Sequence, residues 1–277
     1  MNRLAVAVAL MLSPLAAHAD AAHDAAVARG AYLMNSVVAC GNCHTPMGPN
    51  GPDMSARLSG RLVDDSPAWT AQAANITMDV ATGIGAWTDA EITTAIREGV
   101  RPDGTVIRPP MPIGFYRGMS DGDVAALIAY MRTLPAVANA VPDSVYRVPT
   151  PPTWGPPTGS VAAPDPSDLV AYGGYIAGPL AHCMECHSAP GPQGGPDPVN
   201  GLGAGGMEFH GPWGLSIAAN LTPTGLGDWT DAQIDTVIRT GVRPDGTRLK
   251  PPMGLGYYAV MAQADMAAII AYLRALP

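Results

Sequence analysis

A long segment of this chain occurs twice, and that repeat constrains the fold more than any other feature. GVRPDGTVIRPPMPIGFY, Gly99 to Tyr116, returns as GVRPDGTRLKPPMGLGYY, Gly241 to Tyr258, at a shift of 142 residues. At the same shift GAWTDAEITTAIR matches GDWTDAQIDTVIR and ALIAYMRTLP matches AIIAYLRALP, pairing Trp87 with Trp229 and Tyr130 with Tyr272. A repeat of this length is one structural unit written twice, so two domains of one fold are expected. Between the copies, Pro135 to Asp168 holds nine prolines. Proline fixes φ and removes a backbone donor, so this stretch favours extended polyproline II backbone and reads as a semi-rigid linker lying across the domain surfaces. The boundaries are 20–135 for the first domain, 136–166 for the linker and 167–277 for the second domain.

Residues 1–19 stand apart. Arg3 supplies a charge, Leu4 to Leu15 an apolar run, and Ala17-His18-Ala19 a small-x-small site. That order is a secretory signal peptide cut after Ala19, which implies export to the periplasm. No later stretch approaches the roughly 18 apolar residues of a membrane span. With 23 acidic against 15 basic residues, a net charge of −8 and Lys250 as the one lysine, the chain lacks the electrostatic footprint of a nucleic-acid binder. Thirty-two glycines and 29 prolines beside two phenylalanines imply long loops and an interior filled by more than side chains.

Each copy carries the same helical signals. A first helix bears Val27, Gly30, Leu33 and Met34, or Leu169, Tyr172, Gly173 and Ile176, at helical spacing, and its last turn delivers a cysteine. Thr88 with Glu91, and Thr230 with Gln233, have the spacing of capping boxes, closed by Gly99 and Gly241. A last helix starts near Ser120, turns Leu127, Ile128, Met131 and Leu134 inward, and stops at Pro135. No run shows period-two alternation with hairpin turns, so the fold class expected is mostly α.

All four cysteines fall in two copies of the frame Cys-x-x-Cys-His, at Cys40, Cys43 and His44 and at Cys183, Cys186 and His187. A zinc ribbon needs its cysteine pairs about 15–20 residues apart, and a thioredoxin-like pair needs a preceding strand and no following histidine. The frame is instead that of c-type haem attachment, in which two thioethers hold the porphyrin edge and carry the adjacent histidine under the iron. The occupant of the sixth position separates electron transfer from catalysis. Met111 and Met253 lie 67 and 66 residues after His44 and His187, each following two prolines. They are the expected axial ligands, against the reading of methionine as core filler. Met119 and Met261 also repeat, but Met119 directly precedes the Ser120 cap and suits a hydrophobic staple. Among the remaining histidines, His23, His182 and His210 have no repeat partner.

The run NITMDVATGIGAWTDAEITTAIREGVRPDGTVIRPPMP, with CGNCHTP before it and MSDGDVAALIAYMRTLP after it, resembles the cytochrome c domains of the haem c subunits of periplasmic alcohol, aldehyde and sugar-acid dehydrogenases. The resemblance covers both copies and extends into VPDSVYRVPTPP of the linker. It implies two tandem class I cytochrome c-like domains and two covalently bound haem c groups. Thioethers fall at Cys40, Cys43, Cys183 and Cys186, and axial ligands at His44, Met111, His187 and Met253. Many members carry a third haem and a membrane-associating tail. The function implied is a single-electron carrier rather than an enzyme. It takes electrons from a periplasmic dehydrogenase and passes them to another cytochrome or a terminal oxidase. The alternative is a dihaem peroxidase, which needs one iron with an open site.

Weaker roles attach to other repeated residues. Trp87 and Trp229 are candidate propionate donors through the indole N–H, or plain core. Asn75 and Asn220, opening NIT and NLT, fix loop backbone or a propionate. Arg101 and Arg243 open RPDG turns, which favours exposure over propionate pairing. The segments Thr45 to Pro52 and Ser188 to Pro198 are expected to supply a carbonyl to the far nitrogen of each histidine.

Overall fold

The structure is a computed structural model and describes residues 14–192 and 194–277. The charged and apolar parts of the expected signal peptide, Met1 to Ser13, lie outside the described residues. Helix α1 (Pro14–Tyr32) continues unbroken through the expected cleavage point. It is followed by α2 (Gly41–His44), a short ladder of β1 (Met47–Gly48) and β2 (Gly51–Pro52), and a hairpin of β3 (Arg61–Asp65) and β4 (Trp69–Ala73). Then come α3 (Asp89–Arg97), α4 (Ile113–Tyr116) and α5 (Asp121–Met131). The connecting segment adds β5 (Val145–Tyr146) to β4, which completes a three-stranded antiparallel sheet. The second half repeats the order with α6 (Leu169–Tyr175), α7 (Cys183–His187), a hairpin of β6 (Glu208–Gly211) and β7 (Gly214–Ile217), α8 (Pro223–Leu226), α9 (Asp231–Thr240), α10 (Leu255–Tyr258) and α11 (Gln263–Arg274).

The helices follow the sequence signals, and the hairpins correct the mostly helical expectation to a mixed one. Their alternation is hidden for two reasons. A register shift between Leu62 and Asp64 breaks the β3 pattern, and β6 and β7 are only four residues each. Both capping boxes are formed: Thr88 accepts from the Glu91 amide while Glu91 accepts from the Thr88 amide at 2.7 Å, and Thr230 and Gln233 do the same. Gly99 and Gly241 follow with φ of +64° and +68°, a left-handed turn that glycine takes without steric cost.

The first helix of each half crosses the last at a glycine. A Cβ on Gly30 would sit 1.9 Å from the Ala126 carbonyl oxygen of α5, and one on Gly173 would sit 1.9 Å from that of Ala268 on α11. Only glycine lets the backbones approach this closely. Leu33, Met34, Leu127, Ile128 and Met131 are buried along the first crossing, and Ile176, Leu180, Ile269, Ile270 and Leu273 along the second, in one continuous core. Leu134, expected inward, is half-buried.

The halves clasp each other reciprocally. The Tyr175 hydroxyl of α6 accepts from the Ser120 amide at 3.0 Å and donates to Asp123 at 2.7 Å, at the start of α5. The Tyr32 hydroxyl of α1 accepts from the Ala262 amide at 3.0 Å and donates to Asp265 at 2.6 Å, at the start of α11. Each tyrosine closes the N-terminus of the other half's last helix, where four backbone N–H groups lack helical partners. The arrangement is an isologous interface within one chain.

Candidate functional site

Each first helix loosens before it reaches its cysteine. A π-helical turn, Leu33–Val37 or Ile176–Leu180, is followed by a residue in the left-handed region, Ala39 at φ +54° or His182 at +42°. The cysteine therefore does not end the long helix. It opens a separate short one, α2 or α7, after a reversal that non-glycine residues adopt only under strain of order 1–3 kcal/mol. On that single turn the two cysteines and the histidine, at i, i+3 and i+4, share one face.

That face forms the wall of a cleft. The cleft of the first half holds about 1450 Å³ of empty space and that of the second about 1370 Å³, part of each open to solvent. Cys40, Cys43 and His44 line the first, and Cys183, Cys186 and His187 the second. Met111 and Met253 stand in the walls of the respective clefts, as do Trp87 and Trp229. Met119 and Met261 line them too and are buried. The remaining walls are largely aliphatic.

The histidines are oriented by hydrogen bonds that were expected from elsewhere in the chain. His44 Nδ1 lies 2.7 Å from the Ala74 carbonyl oxygen, and His187 Nδ1 lies 2.8 Å from that of Ala219. The segments after each motif do not serve. Thr45 to Pro52 folds on itself through β1 and β2, and Ala189 is tied to Gly201 and Asp197. With Nδ1–H donated to a carbonyl, Nε2 keeps its lone pair, the tautomer a metal ligand needs. Burial holds both imidazoles below their ordinary value, which favours the same neutral form.

The carbonyls are fixed in turn by the asparagines that follow them. Asn75 Oδ1 accepts from the Thr77 amide at 2.9 Å and its hydroxyl at 2.8 Å, while Nδ2 donates to Thr82 Oγ1 at 3.0 Å and the Val137 carbonyl at 2.8 Å. Asn220 accepts from Thr222 and donates to Thr224 Oγ1 at 3.1 Å. Neither asparagine is among the residues that line a cleft, and both make these hydrogen bonds within their own loops. Arg101 and Arg243, read as exposed, are half-buried and do line the clefts. The indole N–H groups of Trp87 and Trp229 have no acceptor among the described residues.

Burial raises all four thiols: Cys40 and Cys186 to about 12, Cys183 to about 11, and Cys43 in the same direction. Burial thus favours the neutral thiol, and among the described residues no three His, Cys, Asp or Glu side chains gather to hold a bare metal ion. A large flat macrocycle does fit: the cleft has the volume and apolar walls, one wall carries two thiols and an imidazole with a free nitrogen, and Arg and Trp donors stand within it. The two clefts adjoin, with Asn42, His182 and Tyr258 lining both.

No protein-family profile matches the chain. Among curated proteins it is 32% identical to the cytochrome c subunit of a quinone-dependent alcohol dehydrogenase of Gluconobacter oxydans, over 86% of this chain and 52% of that subunit. It is 29% identical to the cytochrome subunit of a fructose dehydrogenase of Gluconobacter japonicus, over 92% and 54%. It is 30% identical to a diheme cytochrome c-type protein of Cereibacter sphaeroides, over 86% and 82%. The chain belongs to this family of c-type cytochromes, whose characteristic cofactor is covalently bound haem c. It spans about half the length of the dehydrogenase subunits it matches. Among the described residues no helix is long and apolar enough to cross a membrane.

Proposed function

We propose that the protein is a periplasmic dihaem cytochrome c. In this reading it relays single electrons from a dehydrogenase to another cytochrome or a terminal oxidase, as an electron-transfer protein or subunit. The observation that carries this reading is the pair of clefts with matching walls, each offering two thiols, a tautomer-locked imidazole and a methionine. Residues 20–135 and 167–277 each hold one haem. Cys40 and Cys43, and Cys183 and Cys186, attach them. His44 with Met111, and His187 with Met253, ligate the irons.

A haem iron supplies a one-electron couple, and methionine ligation raises its potential. The chain does the rest. The Ala74 and Ala219 carbonyls hold each imidazole in one orientation, and the aliphatic walls keep water away. Trp87, Trp229, Arg101 and Arg243 are donors available to propionates from the cleft walls. Asn75 and Asn220 act one step behind, by fixing the loop that orients the histidine. The leader, cut after Ala19, directs export. The peroxidase alternative gains no support: both clefts offer the same residues, and the relatives described above are cytochrome subunits and a dihaem cytochrome.

Expression with a cytochrome c maturation system tests the assignment. Two haems per chain should stay with the polypeptide through acid–acetone extraction, and Cys183→Ala with Cys186→Ala should remove half of the colour. The near-red charge-transfer band of methionine-ligated ferric haem should fall by about half in Met111→Ala and vanish when Met253→Ala is added. A full band in both single variants, with loss in Met119→Ala instead, rejects the ligand choice.

A further inference from the structure

The charged groups around the two Cys-x-x-Cys-His turns do not repeat. Beside the first stand two half-buried arginines. Arg61 donates to the Asn42 carbonyl, inside the turn, at 2.9 Å and to the Leu62 carbonyl at 3.0 Å, and its Nε is buried without an acceptor among the described residues. Arg57 donates to the Tyr130 hydroxyl at 3.0 Å and to Asn35 Oδ1, in the π-helical turn that leads to Cys40. Among the described residues every acceptor of either guanidinium is neutral, so both positive charges stand beside the motif without a carboxylate to offset them.

The backbone identifies what replaces them in the second half. Gly60 and Gly205 each donate their N–H to the carbonyl of the motif histidine at 2.7 Å. Leu58 and Gly203, both at positive φ, accept from the amides of Ile76 and Leu221. On that register Leu202 stands where Arg57 does and Gly206 where Arg61 does. Within the turn itself a negative group appears: Glu185 occupies the position of Asn42, with His182 Nδ1 3.1 Å from its carboxylate. The other basic residues of the cleft walls match in charge, Arg101 with Arg243 and Arg108 with Lys250, so they do not separate the halves.

The thiols and the imidazole respond to these charges. Burial raises the Cys43 and Cys40 thiols, and Arg61 and Arg57 respectively oppose the rise. At His44 Arg61 adds to burial in favouring the neutral ring. At Cys186 Glu185 adds to the rise that burial causes, and it does the same at Cys43. Glu185 therefore faces both motifs, and the arginines carry the difference between them.

We infer that Arg57 and Arg61 make the two haem sites unequal and hold the first at the higher reduction potential, so the half-reduced protein keeps its electron in the first half. Oxidation adds one positive charge to the site, and a fixed cation nearby disfavours that state by Coulomb repulsion, which low local dielectric strengthens. Attaching and ligating residues repeat between the halves, so they cannot supply the inequality. The clefts adjoin at Asn42, His182 and Tyr258, which makes the ordering a property of one molecule. This inference rests on the dihaem reading proposed above.

Spectroelectrochemical titration of the full-length holoprotein at neutral pH tests it. Two one-electron waves are expected. Arg57→Gln and Arg61→Gln should each lower the higher wave and leave the other in place. Each should reduce the ratio of half-reduced molecules holding the electron in the first half by at least about threefold, or about 28 mV at ~59 mV per tenfold for one electron. Arg61→Lys keeps the charge and should restore most of the shift. In a chain with Cys183→Ala and Cys186→Ala, which keeps the first haem alone, the higher wave and its response to Arg61→Gln should remain; with Cys40→Ala and Cys43→Ala both should be lost. Unchanged far-ultraviolet spectra confirm that the arginine variants fold, and their shifts in the two-haem protein decide the question without the single-haem chains. Waves that do not move, waves that move equally, or an Arg61→Lys protein that behaves as Arg61→Gln overturn the inference. Haem content keeps the two readings apart. Fewer than two retained haems per chain reject the dihaem assignment and the inference with it, whereas two retained haems with unshifted waves reject the role of the arginines alone.

Discussion

His44 and His187 make the same hydrogen bond, to Ala74 and to Ala219, yet the loops carrying those carbonyls have different surroundings. Behind Ala74 lies the connecting segment, tied to Asn75, Thr77 and β4, and His44 is 8% exposed. Behind Ala219, strand β7 has β6 as its one strand partner among the described residues, and His187 is only half-buried. The residues lining the two clefts repeat, whereas among the described residues an outer cover lies over the first alone. The inner layer is common to both clefts, and the outer layer sets how far each histidine is covered from solvent.

The strongest challenge to the equivalence of the halves is at the helix crossings. Gly30→Ala and Gly173→Ala each push a methyl group into a carbonyl oxygen that cannot retreat without moving a helix. Each should cost about 3 kcal/mol or more, near the upper end for overpacking, and the two losses should agree. Denaturant unfolding of the holoprotein measures both. Tolerance at one crossing with collapse at the other means that the halves do not share one packing solution.

The reciprocal tyrosines sharpen the comparison at the interface. Tyr175→Phe and Tyr32→Phe each remove a hydroxyl bonded to a buried carboxylate, worth about 1.5–3 kcal/mol for a hydrogen bond to a charged group. Near-equal losses in the single variants are expected from the matched geometry. A negligible effect at Tyr32 beside a large one at Tyr175 makes the clasp one-sided.

The asparagines differ in a way that isolates the cover. Asn75 serves Thr77, Thr82 and Val137, whereas among the described residues Asn220 serves Thr222 and Thr224. Asn75→Ala should therefore cost about 1 kcal/mol more than Asn220→Ala, the worth of one further hydrogen bond. Thermal unfolding of both variants reads the difference. Equal losses remove the connecting segment from the account of His44.

These contrasts also show what the sequence made legible. The capping boxes and the closing glycines are local patterns, and both form as read. Ala74 and Ala219 were missed because any residue supplies a backbone carbonyl, so side-chain identity carries no mark of the role. Tyr32 and Tyr175 repeat at a shift of 143, which was visible. Their bonds to Asp265 and Asp123 cross between halves, and a repeat does not say whether its copies bond within or between themselves. Arg101 and Arg243 sit in turns that read as solvent-facing, and only the fold turns them toward a cleft.

The smallest expected effect concerns how the cover is fastened. Glu98 accepts from the Thr158 amide at 2.9 Å and its hydroxyl at 2.6 Å, and pairs with Arg117 at 2.7 Å; the equivalent position in the second half is Thr240. Partial burial alone raises the Glu98 carboxyl, but the Thr158 hydrogen bonds and the Arg117 charge outweigh it and hold the group below its ordinary 4.5. A value depressed in the folded state marks stability that is present above the unfolded value and lost as pH falls through the folded one. The fastening should hold at neutral pH and loosen below about pH 4.5. Limited digestion with an acid protease checks this: cleavage within 150–160 should rise as the pH falls, while the second half stays intact. Glu98→Gln cannot titrate, so it should flatten the pH response, while its amide oxygen still accepts from Thr158 in the part-buried pair with Arg117. A response that persists in Glu98→Gln places the acid-sensitive tie elsewhere on the segment, at Asp121 with Ser160 and Val161.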